Sequence, residues 1–195
     1  MMKTTRWQAI ALMLAAIVCV LPAAGQDHRG SQPDWRTKVQ QMLPLLGHRN
    51  WILIVDSAYP LQTSPGVETI DTGANDLDVL KEVLNAVDHS IHVRPIVYMD
   101  AELPFVTERD AAGVDEFRRQ LATVLGNRPV KSLPHEQMLQ KVDEVGKTFN
   151  ILILKTNLTI PYTSVFLQLD CKYWSADDEA RMRAAMKAAS AHKQK

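Results

Sequence analysis

The stretch LLGHRNWILIVDSAYP, Leu45 to Pro60, decides the reading of this chain. A His directly after a Gly runs into WILIV, a continuous apolar run of β-branched and aromatic residues that reads as a strand buried on both faces. The strand ends on Asp56, followed by Tyr59 and Pro60. An acid at the end of a buried strand is costly to desolvate unless a partner or a ligand uses it.

Working outward, Trp35, Val39, Met42 and Leu46 recur at helical spacing, with Asp34 as the expected cap, Gly47 as the stop and Pro44 weakening the end. After the SAYPLQTSPG loop, a helix is expected from about Asp76, with Leu77, Leu80, Leu84 and Val87 on one face. HVRPIVYMD reads as a second strand, which Pro95 pushes toward an edge or a bulge. VDEFRRQLATVL is a helix with Phe117, Leu121, Val124 and Leu125 inward, and RPVKSL a short strand. PHEQMLQKVDEVG is a helix with Pro134 in its first turn. FNILILK and TSVFLQL are two further strands, the second apolar enough to tolerate a partner subunit. A polar C-terminal helix follows, with Ser175 and Asp178 at capping-box spacing. Alternating strands and helices give the α/β class: one domain with a central, mostly parallel sheet flanked by helices, plus an added C-terminal helix.

The N-terminus reads separately. Lys3 and Arg6 precede AIALMLAAIVCVL, and Ala23 and Gly25 offer a cleavage site before Gln26, the layout of a secretory signal peptide over residues 1–25. The apolar stretch from Ala9 to Ala24 falls short of the roughly 20 residues that span a bilayer, so no stable span is expected after cleavage. Cys19 follows Ile17 and Val18, bulkier than a lipoprotein site prefers. The expected organisation is thus 1–25 signal peptide, 26–33 flexible lead-in, 34–170 domain and 171–195 helical extension, with a secreted or periplasmic product. Cleavage leaves Cys171 as the one cysteine, so no intrachain disulfide is expected.

Composition excludes some classes. The 195 residues carry 22 basic and 22 acidic side chains, 46% apolar residues and no basic run that would track phosphates, so no nucleic acid is expected. There is no Gly-rich phosphate loop, no close cysteine pair and no Gly-x-Ser-x-Gly elbow. His89 and His92 lie three apart in DHSIH, but at a helix-to-strand junction with no third ligand nearby, and a solvated turn is the better reading than zinc.

The candidates that remain are polar residues beyond strand ends, where ligands gather in open α/β sheets: His48 with Asp56, His135 at a helix start, and Tyr162, Thr163 and Ser164 before the last strand. Each also has a plain structural reading. His48 suits a helix C-terminus, Asp56 can form a turn, His135 can be a solvated first-turn residue and Tyr162 a packed aromatic.

Together, LGH, an acid eight residues on in DSAYP, PHEQ and PYTSVFLQL follow in order the motifs of the D-ribose pyranase and L-fucose mutarotase (RbsD/FucU) family, which the chain resembles from roughly Val39 to Leu169. ETIDTG is similar to the family's short strand after the first loop. The resemblance implies that His48 is the catalytic proton donor. It implies sugar-binding roles for Asp56, His135 and the segment Tyr162, Thr163 and Ser164. It further implies a monosaccharide substrate, no cofactor or metal, and ring-shaped homo-oligomers in which a neighbour completes the site. One expected arrangement is a sugar lying across His48 and Asp56, with His135 and Tyr162 closing the pocket. Two departures stand out: Ser164 where the family has Asn, and a tail that runs past the family's usual end. A non-catalytic, exported sugar-binding protein of the same fold is the alternative.

Overall fold

The computed structural model describes residues 34–193; the signal peptide and the lead-in expected from the sequence lie outside them. WILIV forms β1 (Trp51–Val55), and all five of its residues are buried, because neighbouring strands flank it on both sides and helices cover both faces. Ile52 and Ile54 face one core and Trp51, Leu53 and Val55 the other, the two-residue period of a pleated strand.

The remaining strands are β2 (Val67–Asp71), β3 (Val93–Asp100), β4 (Val130–Leu133), β5 (Ile151–Lys155) and β6 (Val165–Cys171). They form one sheet in the order β2-β5-β1-β6-β3-β4. β2, β5 and β1 are mutually parallel, as are β3 and β4, and β6 runs antiparallel between β1 and β3. Because β6 is reversed, the carboxyl ends of five strands and the amino end of β6 share one edge of the sheet.

The helices are α1 (Trp35–Met42), α2 (Asp76–His89), α3 (Val114–Leu125), α4 (His135–Gly146) and α5 (Ala176–Lys193). α1, α2 and α3 bury Trp35, Val39, Leu80, Val83, Phe117 and Leu121 on one face of the sheet. α4 buries Met138 and Val142 on the other.

Most expectations hold, including the polar final helix. At its start, Ser175 Oγ accepts from the Asp178 amide at 3.1 Å while Asp178 Oδ2 accepts from the Ser175 amide at 3.0 Å, the reciprocal capping box. Four details differ. α1 ends at Met42, where Pro44 blocks continuation, and Asp34 makes no side-chain cap bond. β3 is interior in strand order rather than an edge, but β4 pairs only with Val97–Asp100, so Pro95 lies where that flank is uncovered. β6 is paired on both sides and offers no free edge to a partner subunit. Val124 is only partly buried, and Val114 takes the fourth inner position of α3.

The lead into β2 depends on two glycines. A Cβ on Gly66 would lie 2.5 Å from the Phe149 carbonyl oxygen and 2.9 Å from that of Gly146. Gly146, at the end of α4, is closed against Val67 and Ser64 in the same way. Gly66→Ala is therefore expected to destabilise the fold by about 1–3 kcal/mol, the usual cost of overpacking against fixed neighbours. Urea unfolding followed by circular dichroism checks this, with Gly47→Ala, whose Cβ meets nothing within 4 Å, as the neutral control.

Candidate active site

At the carboxyl edge, a cavity of about 450 Å³ is lined by Asp56, Ser57, Ala58, Tyr59, His135, Thr159, Ile160, Pro161 and Tyr162. Asp56 follows the last residue of β1, and its Oδ1 accepts the Ala58 amide at 2.7 Å, so the turn-forming reading holds alongside its place in the cleft wall. His135 opens α4, whose cap position is Pro134 and makes no side-chain cap bond. The carboxylate of Glu102, beyond β3, accepts the His135 amide at 2.9 and 3.1 Å and supplies the missing acceptor. The His135 ring stands edge-on to Tyr162, with centroids 5.4 Å apart at 85°.

Tyr162 has φ = 60°, and Arg49 has φ = 74°. These are the non-glycine residues with positive φ among the described residues, and each adjoins a motif named above. Holding an ordinary residue in the left-handed region costs free energy that the surroundings must supply, and such positions gather at functional sites.

Beneath the cleft lie acids that the sequence reading missed. Asp100 ends β3 with its side chain fully buried, and His135 Nδ1 donates to its Oδ2 at 3.0 Å. Burial pushes the Asp100 carboxyl up, against the hydrogen bond and charge of His135; Glu102 and Asp56 push it the same way as burial. Asp100 Oδ1 is buried without a hydrogen-bond partner among the described residues. Asp76, in the first turn of α2, is also buried and accepts from Thr156 Oγ1 at 3.3 Å. The signal for Asp100 was present in VYMD, an acid closing an apolar strand as Asp56 does.

Not all the expected residues meet here. Thr163 and Ser164 are buried: Thr163 Oγ1 donates to the Ile160 carbonyl at 2.8 Å, and Ser164 Oγ has no partner among the described residues, so of this segment Tyr162 lines the cleft. His48 lies at the opposite edge of the sheet, beyond the amino end of β1. The whole strand, roughly 16 Å at about 3.3 Å per residue, separates it from Asp56. One sugar across His48 and Asp56 of the same chain is therefore excluded by the fold, since a strand buried on both faces can carry polar residues only at its ends.

His48 sits in a second cavity, of about 610 Å³, with Arg94, Asp170, Trp174 and Glu179 in its wall. Its Nδ1 donates to Asp170 Oδ1 at 3.1 Å, and Arg94 binds Asp170 Oδ2 through Nε at 2.9 Å and Nη2 at 2.7 Å. Burial lifts the Asp170 carboxyl, but the bonds from Arg94 and the Cys171 amide, with the charges of Arg94 and His48, hold it below its ordinary value. The extension closes this cavity: Trp174 Nε1 donates to Glu179 Oε2 at 2.9 Å. Arg94 and Asp170 gave no sequence signal, being 76 residues apart and joined only by the β3–β6 pairing.

His89 and His92 line one cavity of about 460 Å³, but each ring bonds its own neighbours. His89 Nδ1 bonds the Asn85 carbonyl at 2.7 Å, while His92 Nδ1 meets Ser90 Oγ at 2.8 Å and its Nε2 the Leu46 carbonyl at 3.0 Å.

With this geometry in place, comparison with known proteins is decisive on one point. The sequence model of the RbsD / FucU transport protein family matches residues 35–171. The chain belongs to this family. Solved structures similar to it include Bacillus subtilis RbsD complexed with D-ribose, at 22% identity over 68% of this chain and 90% of that one, with a TM-score of 0.48. Another is the fucose mutarotase in complex with L-fucose from Streptococcus pneumoniae, at 19% identity over 72% and 93%, with a TM-score of 0.46. FucU from Bifidobacterium longum is 19% identical over 68% and 92%, with a TM-score of 0.44. No curated protein matches the chain. The family match ends at Cys171, so Trp174, Glu179 and α5 are additions of this chain to the His48 cavity.

Asp76 provides a pH test of the acid cluster. Burial, opposed by the Thr156 bond and assisted by the Asp56 charge, lifts its carboxyl from 3.8 to about 7. Between those values the folded chain holds a proton that the unfolded chain has released, so stability falls as pH rises through this window. The loss from this group is on the order of 2–4 kcal/mol. Asp76→Asn is expected to remove that slope: urea midpoints at pH 5 and pH 8 should differ less in the variant than in the wild type.

Proposed function

We propose that the protein is an exported monosaccharide mutarotase or pyranase, which interconverts cyclic forms of a sugar such as ribose or fucose. The observation that carries this reading is the convergence of Asp56, His135 and Tyr162, from three separate family motifs, in one cleft of monosaccharide scale. Asp56 holds sugar hydroxyls, Tyr162 offers a ring face and a hydroxyl, and His135 reaches the anomeric end. Ring opening needs one proton delivered to the ring oxygen and one removed from the anomeric hydroxyl. Imidazole, with an unperturbed pKa of ~6.5, suits both tasks. The reaction requires neither a metal nor an organic cofactor.

The proton donor of this reading is His48, and the fold sets it at the far edge of its own chain. A second copy must therefore supply it to the cleft. The protein is accordingly a homo-oligomer, ring-like as the family resemblance implies, with each site built between neighbours. The apolar stretch from Ala9 to Ala24 directs export, where free monosaccharides released outside the cytoplasm are the supply. Among the described residues no helix is long and apolar enough to cross a membrane.

A second reading, a sugar-binding protein of the same fold without turnover, draws on Ser164, whose short buried side chain replaces the amide that the family presents. Saturation-transfer NMR at the anomeric protons of ribose, fucose and galactose separates the two. The mature protein should speed exchange between ring forms, and His48→Ala should slow it by about 10²–10⁴-fold, the usual worth of general acid-base catalysis. Line broadening without accelerated exchange for every sugar would select the binding protein.

A further inference from the structure

Two His–Asp pairs stand at opposite edges of this sheet, and they differ in one respect. At the His48 edge, the Asp170 carboxylate is already neutralised by Arg94, which binds it through two nitrogens. At the His135 edge, Asp100 is wholly buried, and no Lys or Arg lines the cleft above it. The titratable groups around the His135 ring are Asp100 and Glu102 beyond β3, Asp56 and Tyr59 after β1, and Tyr162 before β6. Three of these five are carboxyls, and the Lys155 ammonium at the end of β5 donates to the Tyr59 carbonyl at 2.8 Å.

We infer that Asp100 is a positioning residue that makes His135 the general base of the reaction, a catalytic role beyond sugar binding. The 3.0 Å bond from Nδ1 to Asp100 fixes the ring and its tautomer, leaving the unprotonated Nε2 for the cleft that His135 lines. His48, whose Asp170 is already paired with Arg94, keeps the donor's task.

The step balances. His135 Nε2 takes the proton of the anomeric hydroxyl as the bond between C1 and the ring oxygen breaks. That oxygen keeps the electron pair and receives a proton from the second copy's His48, which leaves an open-chain aldehyde. On reclosure His48 recovers a proton from the attacking hydroxyl, and His135 returns its own to the carbonyl oxygen.

This inference rests on the mutarotase reading, and its test keeps the two apart. Asp100→Asn preserves shape and an acceptor for Nδ1 but removes the charge. Sugar binding by line broadening should stay within about twofold, while the plateau exchange rate falls at least about tenfold, part of the 10²–10⁴-fold that acid-base help supplies. His135→Gln, at a site 29% exposed, should lose exchange outright. Independently of turnover, ¹⁵N spectra of the wild-type His135 ring should show a protonated Nδ1 and a bare Nε2. An Nε2-protonated ring, or equal losses of binding and rate in Asp100→Asn, would overturn the inference. A wild type that binds sugars without speeding their exchange overturns the mutarotase reading and this base role with it.

Discussion

The site is shaped first by the burial of β1. Five consecutive apolar residues between two cores and two neighbouring strands leave no place for a polar group except the ends of the strand, and the desolvation cost of a charge inside it is prohibitive. His48 and Asp56 therefore mark opposite edges of the sheet. All other polar groups of interest sort to one edge or the other. The reversal of β6 completes this sorting: it starts beside Asp56 with Tyr162 and ends beside His48 with Asp170.

Two half-sites result, each built on a His whose Nδ1 is held by an Asp. The half-site at the carboxyl edge is acidic and rests on buried carboxyls, with Lys155 donating to the carbonyl of its wall residue Tyr59. The half-site at the amino edge carries Arg94 and is walled in part by residues beyond the family's span. On the proposed reading, this division of acid and base between opposite edges makes turnover depend on contact between copies.

Much of the fold was legible because its elements are written locally. WILIV and FNILILK announce buried strands, the α2 and α3 stripes announce a covered face, and the Ser175–Asp178 box announces a helix start. Strand order and the direction of β6 depend on pairings between residues more than a hundred positions apart, which local pattern does not encode. The site was legible in part for the same reason. Asp56, His135 and Tyr162 follow from strand ends and family motifs. Asp170 acquires its partner only through the β3–β6 register, and Asp100 was passed over although its strand ends just as that of Asp56 does. The inward turn of Thr163 and Ser164 reflects the packing ahead of β6, to which a two-residue polar segment gives no clue.

The central claim is that one chain's His48 serves another chain's cleft, and a mixing experiment tests it most directly. His48→Ala and Asp56→Asn proteins, each impaired in sugar exchange alone, are unfolded together, refolded as mixed oligomers and assayed by saturation-transfer NMR. Sites that join an intact His48 from one variant to an intact Asp56 from the other should restore exchange well above either parent. Mixed oligomers that remain as slow as the parents would contradict the account.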